Sequence, residues 1–114
     1  MDEYQEAVGR AVAAVRSNDD AQIVAAFDAM GALQAEDVVA ELCNGVEDAV
    51  AGKDAAALTA DARVPLPDDP TAWIDAVRRN DLRALHTLAG GDLTRLIASL
   101  VLLIASLHDA AERA

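Results

Sequence analysis

Apolar residues recur at intervals of three and four along most of the chain, and the pattern breaks at short clusters of Asn, Asp and Gly. This spacing belongs to amphipathic helices, and nothing reads as a strand. Seven helices follow from it. Val8, Ala11, Val12 and Val15 stripe a first helix that Asp2 can cap, with Gln5 placed to complete a capping box, and that runs to about Arg16. Asn18 can take the left-handed conformation that ends this helix, and Asp19 caps a second one carrying Ile23, Val24, Phe27 and Met30, stopped by Gly31. A third, over about 35–51, places Val38, Val39, Leu42, Val46 and Val50 on one face and ends at Gly52. A short fourth helix starts at Asp54.

The segment Val64-Pro65-Leu66-Pro67-Asp68-Asp69-Pro70 interrupts the periodicity, because prolines bias their predecessors towards extended backbone. Asp69 and Pro70 then supply the cap and first position of a fifth helix through Arg79, with Trp73, Ile74 and Val77 as its apolar residues. Asn80-Asp81 repeats the earlier turn and opens a sixth helix bearing Leu82, Leu85 and Leu88. After Gly90-Gly91, Asp92 caps a long seventh helix reaching about Arg113.

Three of these junctions align without gaps: Ala14-Val15-Arg16-Ser17-Asn18-Asp19, Ala49-Val50-Ala51-Gly52-Lys53-Asp54 and Ala76-Val77-Arg78-Arg79-Asn80-Asp81, each followed four residues after its Asp by an aliphatic residue, Ile23, Leu58 and Leu85. The pattern describes an αα-hairpin: Val packs inward, the residue before Asp turns the chain, Asp caps the returning helix. The first and third copies, continuing into Ile23-Val24-Ala25-Ala26-Phe27 and Leu85-His86-Thr87-Leu88, resemble the helix pair of an ankyrin repeat. The first offset of 35 residues is near that family's period, the second is 27, and the Thr-Pro-Leu-His opening is absent. The resemblance implies a partner-binding scaffold without a catalytic pocket. The expected fold is therefore all-α, three αα-hairpins plus a long apolar C-terminal helix, either as an irregular helical bundle or as a short helical-repeat stack.

A chain of 114 residues suffices for one domain, here an acidic half (1–62), a Pro-rich linker (63–70) and an apolar half (71–114). Of its residues 54% are hydrophobic but only 3% aromatic, so Ala, Val, Leu and Ile must build the core. The net charge of −11 divides unevenly: residues 1–62 hold 13 acids against Arg10, Arg16 and Lys53, and the remainder holds 7 acids and 6 arginines. Such a balance disfavours nucleic acid and anionic membrane surfaces, whose phosphates need clustered Lys and Arg. On the third helix Asp37, Glu41, Asn44 and Asp48 fall at i, i+4, i+7 and i+11, with no base at pairing distance. They form a solvated face or a docking ridge for a basic partner, with Asp19, Asp20 and Glu47 as expected neighbours.

In the last helix Leu93, Ile97, Leu100, Ile104 and Leu107 follow the spacing of a heptad seam, and Leu102 lies on another side. The helix is apolar nearly all round, which suits a central helix wrapped by the others or a homodimer seam through these six residues. Its uncharged run, Leu96 to Leu107, would rise only about 18 Å against a hydrocarbon core of about 30 Å.

Catalytic patterns are sparse. His108-Asp109 lacks the further ligands of His-Asp metal sites, no Glu-x-x-His pair occurs, and Gly90-Gly91 follows a helix without a nearby Lys. No metal or cofactor is expected. Cys43 reads as a structural thiol with no His suitably placed in sequence, His86 as a packing residue, and Trp73 as the anchor of the third hairpin. One cysteine and the lack of a basic and then apolar leader make the reducing cytoplasm the expected location. Together these features point to a non-catalytic interaction domain. It would be an acidic adaptor or inhibitor of the immunity or phage-inhibitor type that covers a basic protein surface; the alternative is a self-assembling scaffold subunit using the C-terminal helix.

Overall fold

The chain, in a computed structural model that describes residues 3–60 and 66–113, turns at Asn18 from α1 (Glu3–Ser17) into α2 (Asp20–Gly31). There follow α3 (Ala35–Val50), α4 (Ala55–Ala60), α5 (Pro70–Arg78), α6 (Leu82–Leu88) and α7 (Leu93–Arg113), with no strand among the described residues. The expected cap Asp2 and the Val64-Pro65 opening of the linker lie outside the described residues.

The α1–α2 turn shows why its residues are the ones they are. Asn18 sits at a φ of 56°, its N–H donates to the Val15 carbonyl at 3.1 Å, and the Asp19 N–H reaches the Ala14 carbonyl at 3.3 Å. These paired bonds satisfy carbonyls that the helix end leaves open, and Asn tolerates the left-handed conformation they require. The Asp19 carboxylate then accepts the Gln22 N–H at 3.2 Å and caps α2.

Between α5 and α6 the same bonds recur. Asn80 has a φ of 54°, Asn80 N–H donates to Val77 O at 3.0 Å, Asp81 N–H to Ala76 O at 2.9 Å, and the Asp81 carboxylate accepts the Ala84 N–H at 3.1 Å. Replacing Asp81 by Ala should therefore destabilise the protein by about 1 kcal/mol in urea unfolding. Asn80→Ala should cost roughly 1–2 kcal/mol, whereas Asn80→Gly, free of the Cβ penalty, should cost none.

The middle junction is built differently. Ala51 is extended, with a φ of −59° and a ψ of 122°, Gly52 takes the positive φ of 68°, and Lys53 N–H donates to Val50 O at 3.0 Å. This is a type II turn. Lys53 stands where the other copies have Asn, and Lys bears the left-handed conformation poorly, so the positive φ moves one residue earlier onto glycine. In consequence α4 packs against α5 and α7. Gly31, expected as a stop, is simply the last helical residue of α2.

The core gathers around α7, which packs against α1, α3, α4 and α6, while α1, α3 and α7 also touch pairwise. It takes Ala7, Val8 and Ala11 from α1, Val38, Leu42, Val46 and Val50 from α3, and Trp73, Ile74 and Val77 from α5. From α7 come Leu96, Leu100, Val101, Leu103, Ile104 and Leu107. Gly45 lets α3 lie close to α7: a Cβ there would stand 2.9 Å from Ile104 Cδ1. The Ile104 tip can yield to one methyl but not to a branched chain. Gly45→Leu should thus lower stability by about 1–3 kcal/mol, read from the denaturation midpoint.

Half of the residues expected in a homodimer seam are covered within the chain itself. Leu100 and Leu107 are fully buried and Ile104 nearly so, since neighbouring helices cover them within one chain. Of the six seam residues only Leu93 is exposed, with Ile97 and Leu102 half-buried. By length and composition Leu93–Glu112 is apolar enough to cross a membrane, a longer stretch than the uncharged run suggests, yet more than half of it is buried against the protein's other helices.

Candidate functional site

The face of α3 opposite its core stripe carries the chemistry. Glu36, Asp37, Asn44, Glu47 and Asp48 are exposed and Glu41 is half-exposed, so all five carboxylates of this helix are accessible, and the helix has no basic residue. Arg10 pairs with Glu6 at 3.0 Å, and Arg16 pairs with Glu112. Neither engages an acid of α3. Among the described residues, neither of these pairs joins an arginine of the rear half to an acid of the front half.

The expected ridge of Asp37, Glu41, Asn44 and Asp48 stands between two grooves. On one side Glu41 and Gly45 border a shallow groove of about 290 Å³ shared with α1 and α7, where Arg16 and His108 also lie. On the other, Asn44 borders a larger groove of about 930 Å³ between α3, α6 and the start of α7, with Glu36 and Glu47 alongside. Glu47 lies beside the ridge on this side. Asp19 and Asp20 sit in the α1–α2 turn, where Asp19 serves as a cap, and they line neither groove.

The larger groove has apolar walls. Ala35, Val39 and Cys43, four residues apart, line it from α3; Leu82 and His86 face them from α6, and Leu93 from the first residue of α7. Leu82 is 50% and Leu93 39% exposed, two of the three large apolar side chains most open to solvent among the described residues. Each directly follows an Asp cap, Asp81 or Asp92, at the first position of its helix. The sequence carries that signal, but periodicity presents it only as the start of a helix.

Folding also brings Cys43 and His86 into this one groove, although they are distant in sequence. They do not form a thiolate pair. Among the described residues no hydrogen bond joins them, and burial, followed by the Glu47 carboxylate one turn away, pushes the Cys43 thiol up from its ordinary value. A thiol so held stays protonated and is a weak nucleophile. Trp73, 2% exposed, is a core anchor. No cluster of three His, Cys, Asp or Glu side chains fit for a metal ion occurs among the described residues.

The arrangement is suited to contact, with a helix of one charge sign beside an apolar trough. Comparison of the chain with protein-family models, with curated proteins and with solved structures finds no match.

Proposed function

We propose that the protein is a non-catalytic interaction domain, an acidic adaptor or inhibitor, and that the outer face of α3 binds a basic surface on a protein partner. One observation carries this reading: α3 exposes five carboxylates, with no basic residue on the helix and, among the described residues, no ion pair made to them. Glu36 and Asp37 suit the N-terminus of α3, but Asp37 and Glu41, four residues apart, cost the helix a few tenths of a kcal/mol, and Glu41, Glu47 and Asp48 lie beyond the first turn, where a basic partner would favour them. The same field disfavours nucleic acid. Assembly through α7 finds less support, because Leu100, Ile104 and Leu107 are spent on the chain's own core.

The test is the triple reversal Asp37→Lys, Glu41→Lys and Asp48→Lys, with capture of partners from an extract of the producing cell as the readout. Exposed ion pairs are worth up to about 1 kcal/mol each, and reversal both removes them and adds repulsion. Capture should weaken about 10- to 100-fold, and for the unaltered protein it should fall as ionic strength rises past about 0.1 M. Undiminished capture by the reversed variant, or capture indifferent to salt, would remove α3 from consideration.

A further inference from the structure

The groove between α3, α6 and the start of α7 has features that the charge of α3 alone does not explain. Leu82 and Leu93 are left open to solvent across from Val39 and Cys43, although each opens a helix whose other apolar residues are largely covered. The groove runs along α3 from Ala35 to Glu47, about 18 Å or a little over three helical turns. Glu36 lies near its beginning and Glu47 near its end, and among the described residues no Lys or Arg lines it.

We propose that this groove seats one amphipathic helix of a partner protein, its apolar face against Leu82, Leu93 and Val39 and its basic flanks against Glu36 and Glu47. The inference rests on the proposed role of α3 and specifies the element of the partner that is bound.

Three alternatives fit less well. An extended peptide would bury backbone N–H and C=O groups against α3 and α6, whose own backbone groups are already bonded within their helices, whereas a helix arrives with its own bonds made. A second copy of this chain, paired across a two-fold axis, would set the same acid-lined groove against itself, at a net charge of −11 per chain. A small ligand would leave much of an open trough this long unfilled. The groove length accommodates about three turns of a helix, with anchors at i, i+3 or i+4, and i+7.

The sole cysteine provides a direct reporter, because Cys43 is half-buried in the groove wall. Three synthetic peptides of about 16 residues are compared, a length that covers three turns with a turn's margin. The first has leucines at helical spacing flanked by lysines, the second has the same composition in scrambled order, and the third carries glutamates in place of the lysines. Affinity is measured by anisotropy and the rate of Cys43 modification by a thiol reagent. The basic amphipathic peptide should bind at least about tenfold more tightly than either control and slow Cys43 modification. The double variant Leu82→Ser, Leu93→Ser removes exposed apolar surface without altering charge, and it should weaken that binding about tenfold while leaving helicity intact.

Equal binding of the first two peptides, lost on reversal of the α3 acids, would overturn the groove and leave the electrostatic reading standing. Equal binding of the basic and acidic amphipathic peptides would overturn both the basic partner and the reading beneath it. Failure of all three peptides to bind or to protect Cys43 would overturn the inference, with the reversal experiment then deciding the reading by itself.

Discussion

Trp73→Ala should destabilise the protein by about 3–5 kcal/mol, a large share of the roughly 5–15 kcal/mol available to a domain. Trp73 is 2% exposed and belongs to a helix of nine residues, too short to persist in water without tertiary contacts. Ile74, Ala76 and Val77 share its buried face, and α5 uses that face to dock on α3, α4 and α6. Truncation to alanine leaves a cavity that a short helix can fill only by shifting. Because α5 holds α6 in place, the damage should extend to the wall formed by Leu82 and His86. Urea unfolding followed by helicity measures the energy, and faster modification of Cys43 under native conditions reports the loosened wall. A cost under about 1 kcal/mol would mean that the indole is not packed as described.

Leu100→Ala should cost about 2–5 kcal/mol, while Leu102→Ala, two positions along the same helix, should cost less than half as much. The contrast arises from register. Leu100 is fully buried where α7 meets its neighbours, and Leu102 is half-buried. The two substitutions remove the same atoms, so the difference between them reports the environment and not the residue. Urea titrations monitored through Trp73, the only tryptophan, give both values directly. Equal penalties would show that α7 is rotated from its assigned orientation.

Most of the helix boundaries were legible because turn chemistry is local. Asn18-Asp19, Asn80-Asp81 and Gly90-Gly91 with Asp92 each combine a residue that accepts a positive φ with an Asp that caps the next helix, and each junction formed as expected. The likeness to an ankyrin helix pair is concentrated in the first and third of the aligned junctions, whose shared residues are the ones that their hydrogen bonds require.

The features that were not legible depend on three-dimensional placement. Lys53 occupies the same register as two asparagines, but its poor tolerance of the left-handed conformation shifted the turn onto Gly52 and sent α4 towards α5 and α7. For α7, periodicity showed an apolar surface all round without saying whether the cover came from this chain or another; the burial of Leu100, Ile104 and Leu107 answers that for half of the expected seam. The acids of α3 were visible as a spacing. The trough beside them was not, because Cys43, Leu82, His86 and Leu93 come from three helices and share no pattern along the chain.

The position of α7 in the order of synthesis has a consequence for how the protein is made. A nascent chain that has released α1 through α6 from the ribosome still lacks the helix on which α1 and α3 converge, so the faces of α1 and α3 that pack on it stay uncovered until α7 emerges. During that interval mutual repulsion among the early carboxylates would keep neighbouring unfinished chains apart. The acidity of the first 62 residues would then act before the protein has folded, as a safeguard against aggregation at translation.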